Sequence, residues 1–491
     1  MREAFQEWES KHEDKKGEEI VTESGIPLKR VYTPLDLEEK GFDYMRDIGL
    51  PGEFPFTRGV SAETYREKPP IVEQYAGRPS TKESGKLWKL QIEAGAGQIL
   101  IAYDLATQMG YDPDHPMAEG DVGRIGVSMV SLRDWEKAFK DIEVRKIRVS
   151  QVLNASAIVG LANHICLAEE QAGGHLNYED VRGYLQNDIL KEFMARGCYI
   201  FPPAESVRLA VDILYYAGRY LPNYDAMTVC TFHQSEKGAS PVQAVIMGMA
   251  EVATYVQEAV NRGMDVDTIA PTIAFLHANH SFSFWEEIAK HRAMRRMYAK
   301  MMKERFKAKK PESMTVRSHT GEGGTDHYKE QYLNNITRAV MASLAAILGG
   351  AQIISQRPYD EVYGIATDNA LLTAMRSVQV LVHETGVGDV LDPLGGSYYV
   401  EWLTSEFEER AYKGLEEVEK RGGVIPCIET GYFHRMMEDG AYKWQKKIES
   451  GETLRVGVNC FKSAEVERPV TVYRADPKVE LSRKREIIEF K

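Results

Sequence analysis

Cysteine is scarce in this chain. Five thiols in 491 residues, Cys166, Cys198, Cys230, Cys427 and Cys460, stand far apart with no C-x-x-C pair. That excludes a disulfide framework and a structural zinc site, and scattered thiols of this kind are expected as buried small hydrophobes. Long apolar runs are missing too: no window approaches the ~18 residues that a membrane helix needs. The amino terminus, MREAFQEWESKHEDKKGEE, has no apolar signal core, so a cytoplasmic location and no membrane partner are expected. Basic residues are outnumbered 61 to 73, and a net charge of −12 argues against nucleic acid as a partner. Phosphate-cradling G-x-x-x-x-G-K-[ST], strand-linked G-x-G-x-x-G, H-E-x-x-H and G-x-S-x-G are all absent, as is a credible Cys/His nucleophile pair. Hydrolysis and phosphoryl transfer have no support, and no metal ligands are assigned.

A hydrophobic fraction of 43% with 27% charged residues describes a folded globular protein. From about Ser80 onward, short β-branched runs alternate with long helical patterns. The expected strands are QILIAYD (98–104), KIRVSQVL (146–153), CYIFPP (198–203), MTVCTFH (227–233), TIAFLH (272–277), MTVRSH (314–319) and AQIISQ (351–356). Among the helical patterns are YEDVRGYLQNDILKEFMARG, SPVQAVIMGMAEVATYVQEAVNRG, FWEEIAKHRAMRRMYAKMMKERF and NNITRAVMASLAAILGG, apolar at threes and fours. Such alternation implies a mainly parallel α/β sheet, and seven or eight units imply a (β/α)8 TIM barrel over 66–400. An extended, Pro/Gly-rich amino-terminal arm (1–65) and a charged helical carboxyl-terminal extension (401–491) flank it. Residues 1 to about 24 read as a mobile or partner-docking arm, and the tail from 470 as a surface extension. Chemistry in such barrels gathers at the carboxyl ends of the strands, where Asp104, His233, His277, His319 and Gln356 fall. The Gly-rich GEGG at 321–324 would allow a backbone to approach a large ligand closely.

Several segments together resemble the large, substrate-binding barrel subunit of the methylmalonyl-CoA mutase family, adenosylcobalamin-dependent acyl-CoA mutases. They are PGEFPFTRG (51–59), QYAG (74–77), DLATQMGYDPDHPMAEGDVG (104–123), LQNDILKEFMARGCYIFPP (185–203), FHQSEKGAS (232–240), APTIAF (270–275), DPLGGSYYVE (392–401) and GVNCF (457–461), in family order. The resemblance implies a barrel whose axis admits the substrate while cobalamin caps its carboxyl end. It implies a radical 1,2-rearrangement in a site that excludes water. The D-x-H-x-x-G motif that carries the cobalt-ligating His in the family is absent from these residues, as is the flavodoxin-like domain around it. A small cobalamin-binding partner subunit, and hence a hetero-oligomer, is implied.

Carried over position by position, Tyr75 matches the Tyr beside substrate and cofactor. Arg196 matches the residue that pairs with the free carboxylate of methylmalonyl or succinyl substrates, a bidentate task suited to a guanidinium. Gln186 and His233 match positions around the substrate thioester, with His233 bonding its carbonyl. Glu236 and Glu361 match carboxylates near the adenosyl group, and Tyr103, Leu105 and Gly324 match residues facing the corrin. The CoA side departs from the family. Glu73 and Lys68 stand for arginines, Ile71 for a Thr, Thr272 for an Arg and Glu312 for a Lys. Phe232, beside His233, replaces a Tyr, and Gly321 and Arg357 replace a Gln and an Asn near the cofactor. A carboxylate where phosphates should lie is repulsive, by about 1 kcal/mol or more per contact. The substrate is therefore expected to be a carboxylated acyl-CoA whose tail follows another route, or a small carboxylic acid not carried on CoA. A non-catalytic scaffold subunit is the third alternative.

Overall fold

Residues 1–12, 20–463 and 476–491 are described by the computed structural model. Two five-stranded, wholly parallel sheets hold the centre. One runs Ile71–Glu73, Ile353–Ser355, Arg317–Glu322, Ile273–Asn279, Met227–Cys230, and the other Tyr75–Ala76, Gln98–Ile101, Arg148–Val152, Gly183–Gln186, Tyr224–Asp225. Two stretches of chain serve both sheets. Residues 71–73 pair with Ile353–Ser355 while 75–76 pair with Leu100 and Ile101. Residues 224–225 pair with Gly183 and Tyr184 while 227–230 pair with Ile273–Leu276. The two sheets are thus one circuit of eight chain segments, each bonded to both neighbours, which is the expected barrel.

Helices cover the outside. Pro241–Asn261 and Phe284–Glu304 are buried along most of their length, and Tyr398–Lys420 packs across both. Their Met, Val and Ala side chains meet outward-facing strand residues such as Met227, Val229 and Phe275 in the largest hydrophobic cluster. The lumen has its own small cluster of Leu100, Val152, Tyr184 and Ile353. Cys198, Cys230 and Cys427 are buried as expected, but Cys166 is exposed. No helix among the described residues is long and apolar enough to cross a membrane.

Two sequence expectations change. CYIFPP forms no strand; Tyr199, Ile200 and Phe201 lie exposed in a loop that leads into the helix Pro203–Tyr220. The strand of that unit is Gly183–Gln186, buried throughout and concealed inside an apparently helical pattern. Gly183 explains the break: its φ is +142°, and a Cβ there would sit 2.0 Å from the Val149 carbonyl oxygen. At the amino end, Arg2–Lys11 is helical, and the backbone N–H groups of Glu23 and Ser24 donate to Glu286, tying the arm to the barrel. Residues 13–19 of the segment read as mobile and 470–475 of the tail, with 464–469 before it, lie outside the described residues. The helix Pro477–Phe490 packs on the loop after strand Gln98–Ile101, with Arg483 buried against Asp134 at 2.5 Å.

Candidate active site

At the carboxyl ends of the strands lies a cavity of about 230 Å³, walled by Tyr75, Gln186, Arg196, Phe232, His233 and Glu361 among others. Six residues singled out from sequence therefore converge on one space. Glu236 and Gly324 stand just behind its wall, where the Gly324 amide donates to Glu236 at 2.6 Å. Leu105 is half-buried at the start of the short helix Leu105–Gln108. Tyr103 is placed differently from its expected corrin-facing role. It is buried with Ile99, Ile101 and Trp135 between strands and helices, its hydroxyl 2.8 Å from Gln151. Of the polar strand ends, His233 and Gln356 reach the cavity. Asp104 instead caps Leu105–Gln108, and His277 bonds Thr231 outside the lumen.

Arg196 is held from behind. Its Nη1 donates to Glu192 at 3.2 Å and its Nη2 to Gln108. Glu192 is itself buried, receiving Lys191 Nζ at 2.7 Å, Asn154 Nδ2 at 2.8 Å and the Cys198 amide at 3.0 Å. Lys191 also reaches Gln186 at 2.6 Å, so the amide and the guanidinium share one buried network. Lys191 and Glu192 were not picked out by sequence reasoning, although both belong to the QNDILKEFM run. Such a network fixes a charged side chain without leaving a buried ion unpaired.

His233 is neutral. Burial, with Lys191, Arg196 and Arg357 nearby, holds its pKa well below the ordinary imidazole value. Its Nδ1 lies 3.3 Å from the Sγ of Cys230, a thiol that burial pushes up to about 12. At the rim, Arg357 pairs with Glu361 and faces the Phe232 ring at 6.0 Å. Behind the wall, Glu236 receives Thr325 Oγ1 at 3.0 Å and contacts His280 Nε2 at 3.0 Å. Against the penalty of burial, Glu236 and Glu287 keep His280 an imidazolium, with its pKa raised to about 10.

The end of the barrel that holds the cavity carries exposed apolar side chains beside the charged pair of Arg357 and Glu361. Tyr75 is 44% exposed there, and Tyr199, Ile200 and Phe201 follow closely on Arg196. Glycine keeps the rim low, since a Cβ at Gly324 would lie 3.0 Å from Glu236 and one at Gly321 3.0 Å from Phe232. Exposed aromatic and aliphatic side chains at the end where the cavity lies fit contact with a large planar macrocycle. The family model for methylmalonyl-CoA mutase matches residues 21–491. This chain belongs to the methylmalonyl-CoA mutase family. It is 42% identical over 459 residues to the 2-hydroxyisobutanoyl-CoA mutase large subunit of Aquincola tertiaricarbonis, covering 94% of this chain and 80% of that protein. It is 38% identical to the methylmalonyl-CoA mutase of Cereibacter sphaeroides, over 93% of this chain and 63% of that one. With the human mitochondrial methylmalonyl-CoA mutase the identity is 34%, over 90% and 57%. The chain therefore spans about three-fifths of the length of the methylmalonyl-CoA mutases that it matches. The mutases of this family are isomerases of the cobalamin-dependent type.

Proposed function

We propose that this chain is the large catalytic subunit of an adenosylcobalamin-dependent carbon-skeleton mutase acting on a carboxylated acyl substrate, as the methylmalonyl-CoA mutases of its family do. A small cytoplasmic partner would bring the cobalamin and its cobalt-ligating His to the carboxyl-end face, giving a hetero-oligomer. The observation that carries this reading is the convergence of Arg196, His233, Gln186 and Tyr75 on one cavity. Bound at that end of the barrel, adenosylcobalamin would supply a carbon-centred radical.

The rest falls to the chain's own groups. Arg196, pre-oriented by Glu192 and Gln108, presents its remaining N–H donors to a substrate carboxylate. With the Cys230 thiol protonated and donating to Nδ1, the proton of neutral His233 is assigned to Nε2, which donates to a carbonyl oxygen. Gln186, anchored by Lys191 and Asn154, lines the same side. Tyr75 stands between the cavity and the mouth, placed to cover bound substrate and exclude water. Glu361 on the cavity wall, with Glu236 just behind it, would offer acceptors to an adenosyl hydroxyl.

The test is Arg196→Gln in the complex reconstituted with adenosylcobalamin and the small subunit. Losing a hydrogen bond to charge costs about 1.5–3 kcal/mol, so kcat/KM for a carboxylated substrate should fall about 10- to 150-fold, chiefly through KM. An unchanged Michaelis constant would remove the carboxylate clamp.

A further inference from the structure

The family resemblance calls for an axis open to substrate, but the lumen is bridged. Tyr184 reaches from its strand to the opposite side, where its hydroxyl lies 3.1 Å from Glu73. Its ring packs on His319 from a third strand, with centroids 4.4 Å apart. Gln98 donates to the other oxygen of Glu73, and all four side chains are fully buried. Beneath this crossbar, towards the amino-terminal end, Asp225 accepts from Arg317 and sits 3.2 Å from His319, a second, ionic layer. Neither layer yields without cost: parting them strands a buried carboxylate from its guanidinium and leaves the Tyr184 hydroxyl unpaired. The cavity above is about 230 Å³, below the roughly 300–1,000 Å³ of sites for drug-sized ligands.

We infer that the crossbar of Glu73, Tyr184 and His319 closes the axial route that a pantetheine arm would need, and that the site takes a short free carboxylic acid entering from the carboxyl end. This rests on the mutase reading above and names its substrate class. Arg196 holds the carboxylate, and His233 a second carbonyl or carboxyl oxygen on the same small molecule. The reaction balances as an isomerisation: a hydrogen and a carbon substituent exchange places on adjacent carbons, with no oxidant, reductant or water consumed. Because the crossbar bridges the lumen, the acid enters before the cobalamin subunit closes the mouth.

Two measurements decide it. Calorimetric titration of coenzyme A into the full chain should show no saturable binding up to about 1 mM, whereas micromolar binding would overturn the inference. The complete complex with adenosylcobalamin is then offered free acids (succinate, methylmalonate and their 2-oxo and 2-methylene homologues) and the matching CoA thioesters. Loss of the adenosylcobalamin absorbance with a free acid supports the inference. A response to thioesters alone overturns it and leaves the mutase reading standing; no response to either class overturns both. Tyr184→Ala, which opens the bridge, should gain at least tenfold in affinity for coenzyme A. Coenzyme A binding that is equal in the wild type and a folded Tyr184→Ala chain would show that the crossbar gates nothing. Should the variant not fold, the wild-type titration and substrate comparison still decide.

Discussion

Glu73 shows at the scale of a single residue how burial becomes a measurable property. Its carboxyl is fully enclosed, and desolvation outweighs the donors Gln98 and Tyr184, so its pKa rises from 4.5 to about 7. The folded chain therefore holds this proton more tightly than the unfolded chain does. Its contribution to stability is whole below about pH 4.5 and is lost as pH rises through about 7. Glu73→Gln keeps the shape and removes the titration. Urea unfolding at pH 8 should show the variant more stable by on the order of 2 kcal/mol, with the gap closing towards pH 4.5. A gap independent of pH would mean that the carboxyl is ionised in the folded protein. The same residues show what could be read from the sequence. Tyr75, Arg196 and His233 stand in recognisable motifs, and they do meet. Tyr103 lies away from the lumen because strand side chains alternate: Ile99, Ile101 and Tyr103 share the helix-facing side, while Gln98 and Leu100 face the lumen. That alternation also points to the crossbar. Glu73 lies two residues before Tyr75, and Tyr184 two before Gln186, so each must point inward one layer deeper.

Among the elements, parallel strands and long amphipathic helices were legible because their apolar spacing is repetitive, as in Pro241–Asn261 and Ile273–Asn279. Short, fully buried elements were not. Gly-Tyr-Leu-Gln has no polar alternation to mark it, whereas Cys-Tyr-Ile-Phe has the composition of a strand but sits in an exposed loop. The carboxyl-terminal helix is more than a surface extension. Arg483 enters the capping box of the helix Leu132–Ala138, where Asp134 already receives the amides of Val130 and Ser131. Arg483→Ala leaves that carboxylate buried without its guanidinium, a loss of about 3–5 kcal/mol for a pair this enclosed. Hydrogen exchange should quicken in 112–134 and in 477–490 together, since Ile487 and the Glu480 bond to Gly120 belong to the same contact. Faster exchange confined to the helix would show that the loop stands without it.

For the molecule as a whole, the two ends of the barrel differ in kind. The amino-terminal end holds the ion pair of Asp225 with Arg317, whereas the carboxyl-terminal end presents a half-exposed Tyr75 and the exposed run Tyr199, Ile200 and Phe201. On a chain with a net charge of −12, a cluster of exposed aromatic and aliphatic side chains beside the site marks the face to be covered. The proposed cobalamin subunit is expected on that face, where Tyr75 of the cavity wall is half-exposed. Phe201→Asp puts a charge into that contact while disturbing no core residue, because Phe201 is exposed in the free chain. Binding of the small subunit, followed by sedimentation, should weaken at least tenfold, with the unfolding midpoint of the large subunit unchanged. The matched control is Tyr220→Asp. Tyr220 is equally exposed but ends the helix Pro203–Tyr220, which begins at Phe201's end of the barrel and runs to the other. Its affinity should stay within about twofold, the spread of surface substitutions away from a contact. If the two variants weakened binding alike, the effect would be one of overall charge, and the carboxyl-end face would lose its claim as the docking surface.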